Sequence, residues 1–305
     1  MRDVSAALSP EDLDRLHTAR PTVDPAESLF GPASVTWRVN REAVILLGGG
    51  RALLLQIAHP LVAAGVAAHS RFRQRPLERL WRTLDLMLTL VFADAERAMA
   101  AVREIERVHA RVRGVLDAGV GPFAPGTPYD ASEPGLLFWV YATLVDTALA
   151  VYERFVGPLA AGERAAYYEE SKVGARLFGI PEPLIPPTLE RFEEYVDGMI
   201  RGEVLAVGAT AREIAASILR PPVPLALAPA FRAGGFLAVG LLPPALRERF
   251  GFAWSAGQER ALRALAAATR VGLPFLPGCV RLMPHARRAA RRRRTPITPT
   301  GRSPE

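Results

Sequence analysis

The chain has 305 residues, half of them hydrophobic, a formal net charge of +7 and one cysteine. That is ample material for a large core, and it excludes an intramolecular disulfide framework and any CxxC-based metal site. Seven arginines and one glutamate lie in 287–305, so the tail carries +6 and everything before it only about +1.

The residue mix is rich in Ala, Leu, Arg and Glu and poor in alternating β-branched runs, which predicts an all-α chain built as a single multi-helix domain. Residues 1–40, with Pro10, Pro21, Pro25, Gly31 and Pro32, read as an N-terminal arm holding a short helix at 10–16. An apolar helix is expected over 41–58, and another begins at Pro60 and carries His69 near its end. The helix predicted at 76–92 starts on a proline and shows Leu77, Leu80, Trp81, Leu84, Leu88 and Val91 as its apolar face. Arg79, Arg82 and Thr83 form a polar stripe at i, i+3 and i+4. Asp94 reads as the N-cap of a helix running to Arg113 and closed by a left-handed Gly114, with His109 inside it.

The Gly and Pro rich segment 114–131 reads as a lid or linker. Ser132 and Pro134 open a long helix through Phe155, followed by helices at 162–178, 187–201, 210–219, 230–239, 244–249 and 258–267, with prolines ending one and aiming the next. A basic helix at 284–294 leads into a disordered tail, and 289–305 is set apart as that basic tail. The tail reads as a solvated end, the alternative being a peripheral contact with an acidic lipid or nucleic-acid surface. The near-neutral body gives no reason to expect a nucleic-acid partner. The N-terminus contains acidic residues and no apolar signal core, and the longest apolar stretch recognised, 43–57, is too short to span a bilayer comfortably. A soluble, cytoplasmic protein is therefore expected.

Several chemistries find little support. VILLGGGRALLL (44–55) lacks the third glycine of a dinucleotide loop, since Leu53 stands there, and its glycines read as close-approach points for a helix or flat ligand. His59 and His69, ten residues apart across Pro60, match no zinc spacing. No GxSxG appears. Asp146, in an apolar helix, reads as the partner of an arginine because an unpaired buried carboxylate is costly. Glu169, Glu170 and Asp146 lack the Glu-x-x-His pairs of a non-haem iron bundle. His109, taken alone, reads as an ordinary histidine.

Three segments change that reading. HPLVAAGVAAHSRFRQRPLERLWRT, then VHARVRG, then FWVYATLVDTALAVYERF, resemble the catalytic domain shared by the fungal oxygenase MpaB and bacterial rubber oxygenase, over about 41–288. The resemblance implies a globin-like helical core holding haem b without covalent attachment, with His109 as the axial iron ligand. Arg79 and Thr83 fall on the family's Arg and Thr positions over the opposite, dioxygen-facing side, and His69 is expected to line the cofactor cavity. Arg82 stands where rubber oxygenase has a lysine that can itself bind iron; a guanidinium stays protonated and cannot, so an iron left five-coordinate or water-bound is expected. The family's catalytic glutamate has no match here. The implied activity is a haem-dependent oxygenase acting with dioxygen on a small apolar or prenylated olefin. The alternative is a helical lipid- or isoprenoid-binding protein with no catalysis.

Overall fold

A computed structural model describes residues 28–69, 76–221 and 223–294; the side chains of 76–83, 225, 293 and 294 lie outside that description. Among the described residues are 14 α-helices and one two-stranded sheet. The expected helix at 10–16 lies outside the described residues.

The first helix, α1 (Val35–Asn40), starts where the Ser34 hydroxyl accepts from the Trp37 amide, and Glu170 accepts from the Val35 and Thr36 amides at 3.1 and 2.6 Å. These contacts satisfy N–H groups that a helix start leaves without partners. Residues 41–58 do not form one continuous helix. A 3₁₀ turn occupies Ala43–Gly48, and α2 (Gly49–Ile57) follows. The phosphate-loop reading fails here as well, because a 3₁₀ turn stands where that motif needs a strand. The glycines instead allow close packing: a Cβ on Gly48 would lie 2.5 Å from Thr147 Cγ2, and one on Gly50 would lie 2.6 Å from Ala238 Cβ.

After α3 (Pro60–His69), α4 (Pro76–Phe92) and α5 (Ala95–His109) are joined by two residues. Asp94 caps α5 by accepting from the Arg97 amide at 2.9 Å. The helix stops at His109, short of Arg113. The chain then forms β1 (Arg113–Val115), paired antiparallel with β2 (Pro128–Asp130) inside the segment read as a loop. Gly114 is a strand residue without positive φ, and a Cβ there would meet the Tyr129 hydroxyl at 2.4 Å. Its lack of a side chain makes room for that ring and does not serve to cap a helix.

The hub is α6 (Pro134–Phe155), opened by Pro134 and by Glu133, whose carboxylate accepts from the Gly135 and Leu136 amides at 2.9 and 2.7 Å. Glu133, not Ser132, is the cap. Against α6 pack α1, the 3₁₀ turn, α2, α7 (Ala161–Leu177), α8 (Leu189–Arg201) and α12 (Ala256–Gly272). Helices α9 (Ala209–Leu219) and α10 (Ala228–Gly240) cover α2, and α11 (Pro244–Phe250) touches α8. By length and composition α6 could cross a bilayer; here it buries Trp139, Ala142, Val145, Leu149 and Phe155 among other helices. Two further helix pairs would reach that length only if each counted as one span, and they are bent by 106° and 118°.

Two polar links hold the layers in register. Arg51 is buried; it donates to Thr147 Oγ1 at 2.6 Å and to the Leu241 carbonyl at 2.9 Å, and it lies 2.7 Å from Asp146 Oδ2. That last contact falls outside hydrogen-bond geometry, so its attraction is Coulombic. The expected arginine partner of Asp146 is thus Arg51. Near the other end, Glu42, 1% exposed, accepts a two-pronged pair from Arg281 at 2.8 and 3.0 Å. Beside it α13 (Gly278–Arg281) and α14 (Pro284–Arg294) close the fold, with Met283, Ala286 and Ala289 packing on Trp37 and Phe92.

Candidate functional site

Three segments meet at one corner. Because α4 and α5 fold back on each other across a two-residue turn, the Arg79 turn and the His109 turn lie at the same, open end of that hairpin. The apolar contact between the two helices involves Met87, Leu90, Ala98 and Val102, on the side nearer the turn. The end of α3 reaches the same corner: a Cβ on Gly65 would sit 3.1 Å from Val112, and His69 Nε2 lies 2.9 Å from the Arg113 carbonyl. That carbonyl is four residues beyond His109.

His109 is the last residue of a capped helix, and the next residues continue the turn through Val112 N to His109 O at 2.8 Å. Its side chain is half-buried, and burial pushes its imidazole below the ordinary histidine range, so it is neutral near pH 7. Among the described residues the ring makes no hydrogen bond. A neutral imidazole with an uncommitted nitrogen on a rigid element is what an axial iron ligand requires.

His69 is exposed, its ring edge-on to Tyr129 at 6.2 Å and its Nε2 committed to the hairpin backbone. Tyr129 was not singled out from sequence, yet it fills the notches left by Gly65 and Gly114 and so fixes the segment that follows His109. The only hint was an aromatic residue between two glycine- and proline-rich stretches. Arg113 and Asp130, opposite each other on the hairpin, pair at 2.9 Å. Arg79, Arg82 and Thr83 lie on α4, as expected; their side chains lie outside the described residues.

His59 is buried at the α2–α3 corner, where Nδ1 accepts from the Leu61 amide at 3.3 Å and the ring faces Phe123 at 5.4 Å. Desolvation lowers its pKa to about 4. A histidine so enclosed is a structural acceptor.

The rival metal reading separates in space. Glu169 pairs with Lys172 at 2.7 Å, Glu170 caps α1, and Asp146 faces Arg51. Among the described residues no three His, Cys, Asp or Glu side chains gather as a metal site. A porphyrin brings four nitrogens of its own, so a haem would need one protein donor where a bare ion needs several. An open cleft of about 680 Å³ lies elsewhere, among Arg201, Glu203, Arg212, Glu248, Arg249 and the 121–122 turn, and its lining is charged.

A family model described as "ER-bound oxygenase mpaB/B'/Rubber oxygenase, catalytic domain" matches residues 37–271. Two relatives, uncharacterized protein Mb2261 of Mycobacterium bovis and uncharacterized protein Rv2237 of Mycobacterium tuberculosis, are each 28% identical over 234 residues, covering 74% of this chain and 87% of theirs. No solved structure matches the chain.

Proposed function

Because the chain belongs to the family of the mpaB and rubber oxygenase catalytic domain, we propose that it is a haem b oxygenase using dioxygen on a small apolar or prenylated olefin. The observation that carries this reading is His109: a half-buried, neutral imidazole with no partner among the described residues, at the rigid end of a helix inside the matched region. When bound, haem supplies the iron at which dioxygen is activated. The protein's part is to hold and orient. His109 would hold the iron through a ring nitrogen, and the hairpin pinned by Tyr129 keeps its helix end in place.

To the opposite side we assign Arg79, Arg82 and Thr83, three hydrogen-bond donors spaced to share one helix face. Donors there favour negative charge developing on oxygen in a water-poor site. Arg82, which cannot give up its proton to bind metal, would serve as a cation toward a propionate or an anionic ligand. His69 belongs to the rim of the same corner. A globin-like arrangement of helices around the cofactor and a cytoplasmic location complete the proposal.

The test is the absorption spectrum of the purified protein, with hemin added if it is colourless. A Soret band that His109→Ala abolishes and Arg82→Ala leaves five-coordinate or water-bound is expected. A protein that stays colourless and fails to bind hemin overturns the proposal, as does a His109→Ala variant with an unchanged spectrum.

A further inference from the structure

From Arg260 to Pro304 the sequence contains 11 arginines and no aspartate or glutamate, although the chain has 31 acidic residues. The basic feature is therefore longer than the tail, and the fold shows what it surrounds. After α12 the chain makes a short turn, Leu273–Phe275, and then runs through Pro277 into α13. Residues 274–280, PFLPGCV, are all exposed, and none is charged. Phe275 is 84% exposed, Val271 71% and Val280 58%. A soluble surface rarely gathers large apolar side chains at one tip without a use for them.

The cations border that tip directly. Arg270, next to Val271, donates to the main-chain carbonyls of Glu153 and Arg154 and pairs with no carboxylate among the described residues. Arg287 reaches the Cys279 carbonyl at 3.4 Å, which fixes α14 against the apolar turn. Since α14 buries Ala286 and Ala289, its exposed side presents Arg288 to solvent. Among the described residues, Asp85 hydrogen-bonds to His285 of α14 at 2.9 Å.

We propose that the 271–280 tip and α14 form a docking surface for an anionic phospholipid bilayer, with Phe275 and its aliphatic neighbours entering the acyl boundary and the arginines meeting lipid phosphates. Anionic bilayers take both components at once, apolar side chains at the boundary and cations at the headgroups. Nucleic acid would use the arginines but has no place for Val271, Leu276 and Val280.

The full chain is sedimented with vesicles of phosphatidylcholine alone and of phosphatidylcholine mixed with phosphatidylglycerol. Binding to the mixed vesicles only, reversed near 1 M salt where the screening length falls to about 3 Å, is expected. Arg288→Ser weakens partition about fivefold and Phe275→Ser at least about tenfold, with unchanged thermal midpoints because both side chains are exposed. No vesicle binding, equal binding to both compositions, salt-resistant binding, or binding undiminished by Phe275→Ser overturns the proposal. So does retention on an RNA homopolymer, or Phe275-dependent self-association, without vesicle binding.

Discussion

Removing the carboxylate of Asp146 tests whether it is a structural counterion. Arg51 has a side chain only 6% exposed, while that of Asp146 is 26% exposed. Asp146→Ala leaves the guanidinium its bonds to Thr147 and the Leu241 carbonyl but takes away the opposing charge. Breaking a buried pair from one side costs about 3–5 kcal/mol. Partial exposure of Asp146 admits water, so the low end, about 3 kcal/mol, is expected. At about 2–4 °C per kcal/mol for a domain of this size, thermal unfolding should move down by about 6–12 °C. Arg51→Met in the same chain removes the stranded charge and should return most of that loss, which a double-mutant cycle reads as a coupling energy. Hemin binding should be unchanged throughout. An Asp146→Ala variant that melts within about 2 °C of the parent, or a double variant no better than the single, would refute the reasoning.

Two further outcomes follow from the geometry. His59 titrates near 6.5 in an unfolded chain and at about 4 in the fold. The unfolded state therefore binds the proton first, and stability is full above pH 6.5 and falls as pH drops toward 4, by about 3 kcal/mol. Urea unfolding across that range should show the acid limb, and His59→Gln should flatten it; an identical slope in the variant would rule His59 out as its source. Gly50→Ala places a methyl 2.6 Å from Ala238 Cβ, a contact that cannot swing aside. Overpacking costs about 1–3 kcal/mol against a helix gain of about 0.5–1 kcal/mol, so the variant should lose stability. Gly198→Ala on α8, where a Cβ meets nothing within 4 Å, should gain stability, and equal effects at both sites would contradict the packing described.

The helices were legible because their punctuation is local. Proline at a first turn, Asp94 three residues before the amide it caps, and an apolar stripe of the right period all act within a few residues. The β-hairpin after His109 was not legible, since its strands are three residues long and their register depends on Tyr129 settling over Gly65 and Gly114. That hairpin also ends α5 at His109, ahead of the glycine that looked like its stop. Asp146 shows how far such reading goes: an isolated carboxylate in an apolar helix demands a cation. Which cation answers was hidden by the 94 residues between Arg51 and Asp146. At the candidate site, His109 gained its interest from the family pattern, and the structure adds burial, neutrality and the α3 corner beside it.

The Glu42–Arg281 pair joins residues 239 apart in the chain. Met283 N donates to the Arg41 carbonyl at 2.8 Å beside it, and Met283, Ala286 and Ala289 complete the buried Trp37–Phe92 cluster. During synthesis, then, Glu42 waits for its two-pronged partner, and Trp37 and Phe92 for their cover, until residues 281–289 have emerged. That side of the core cannot close before the 281–289 segment has been made. A chain truncated before residue 281 lacks both contacts and leaves that side of the interior open to solvent.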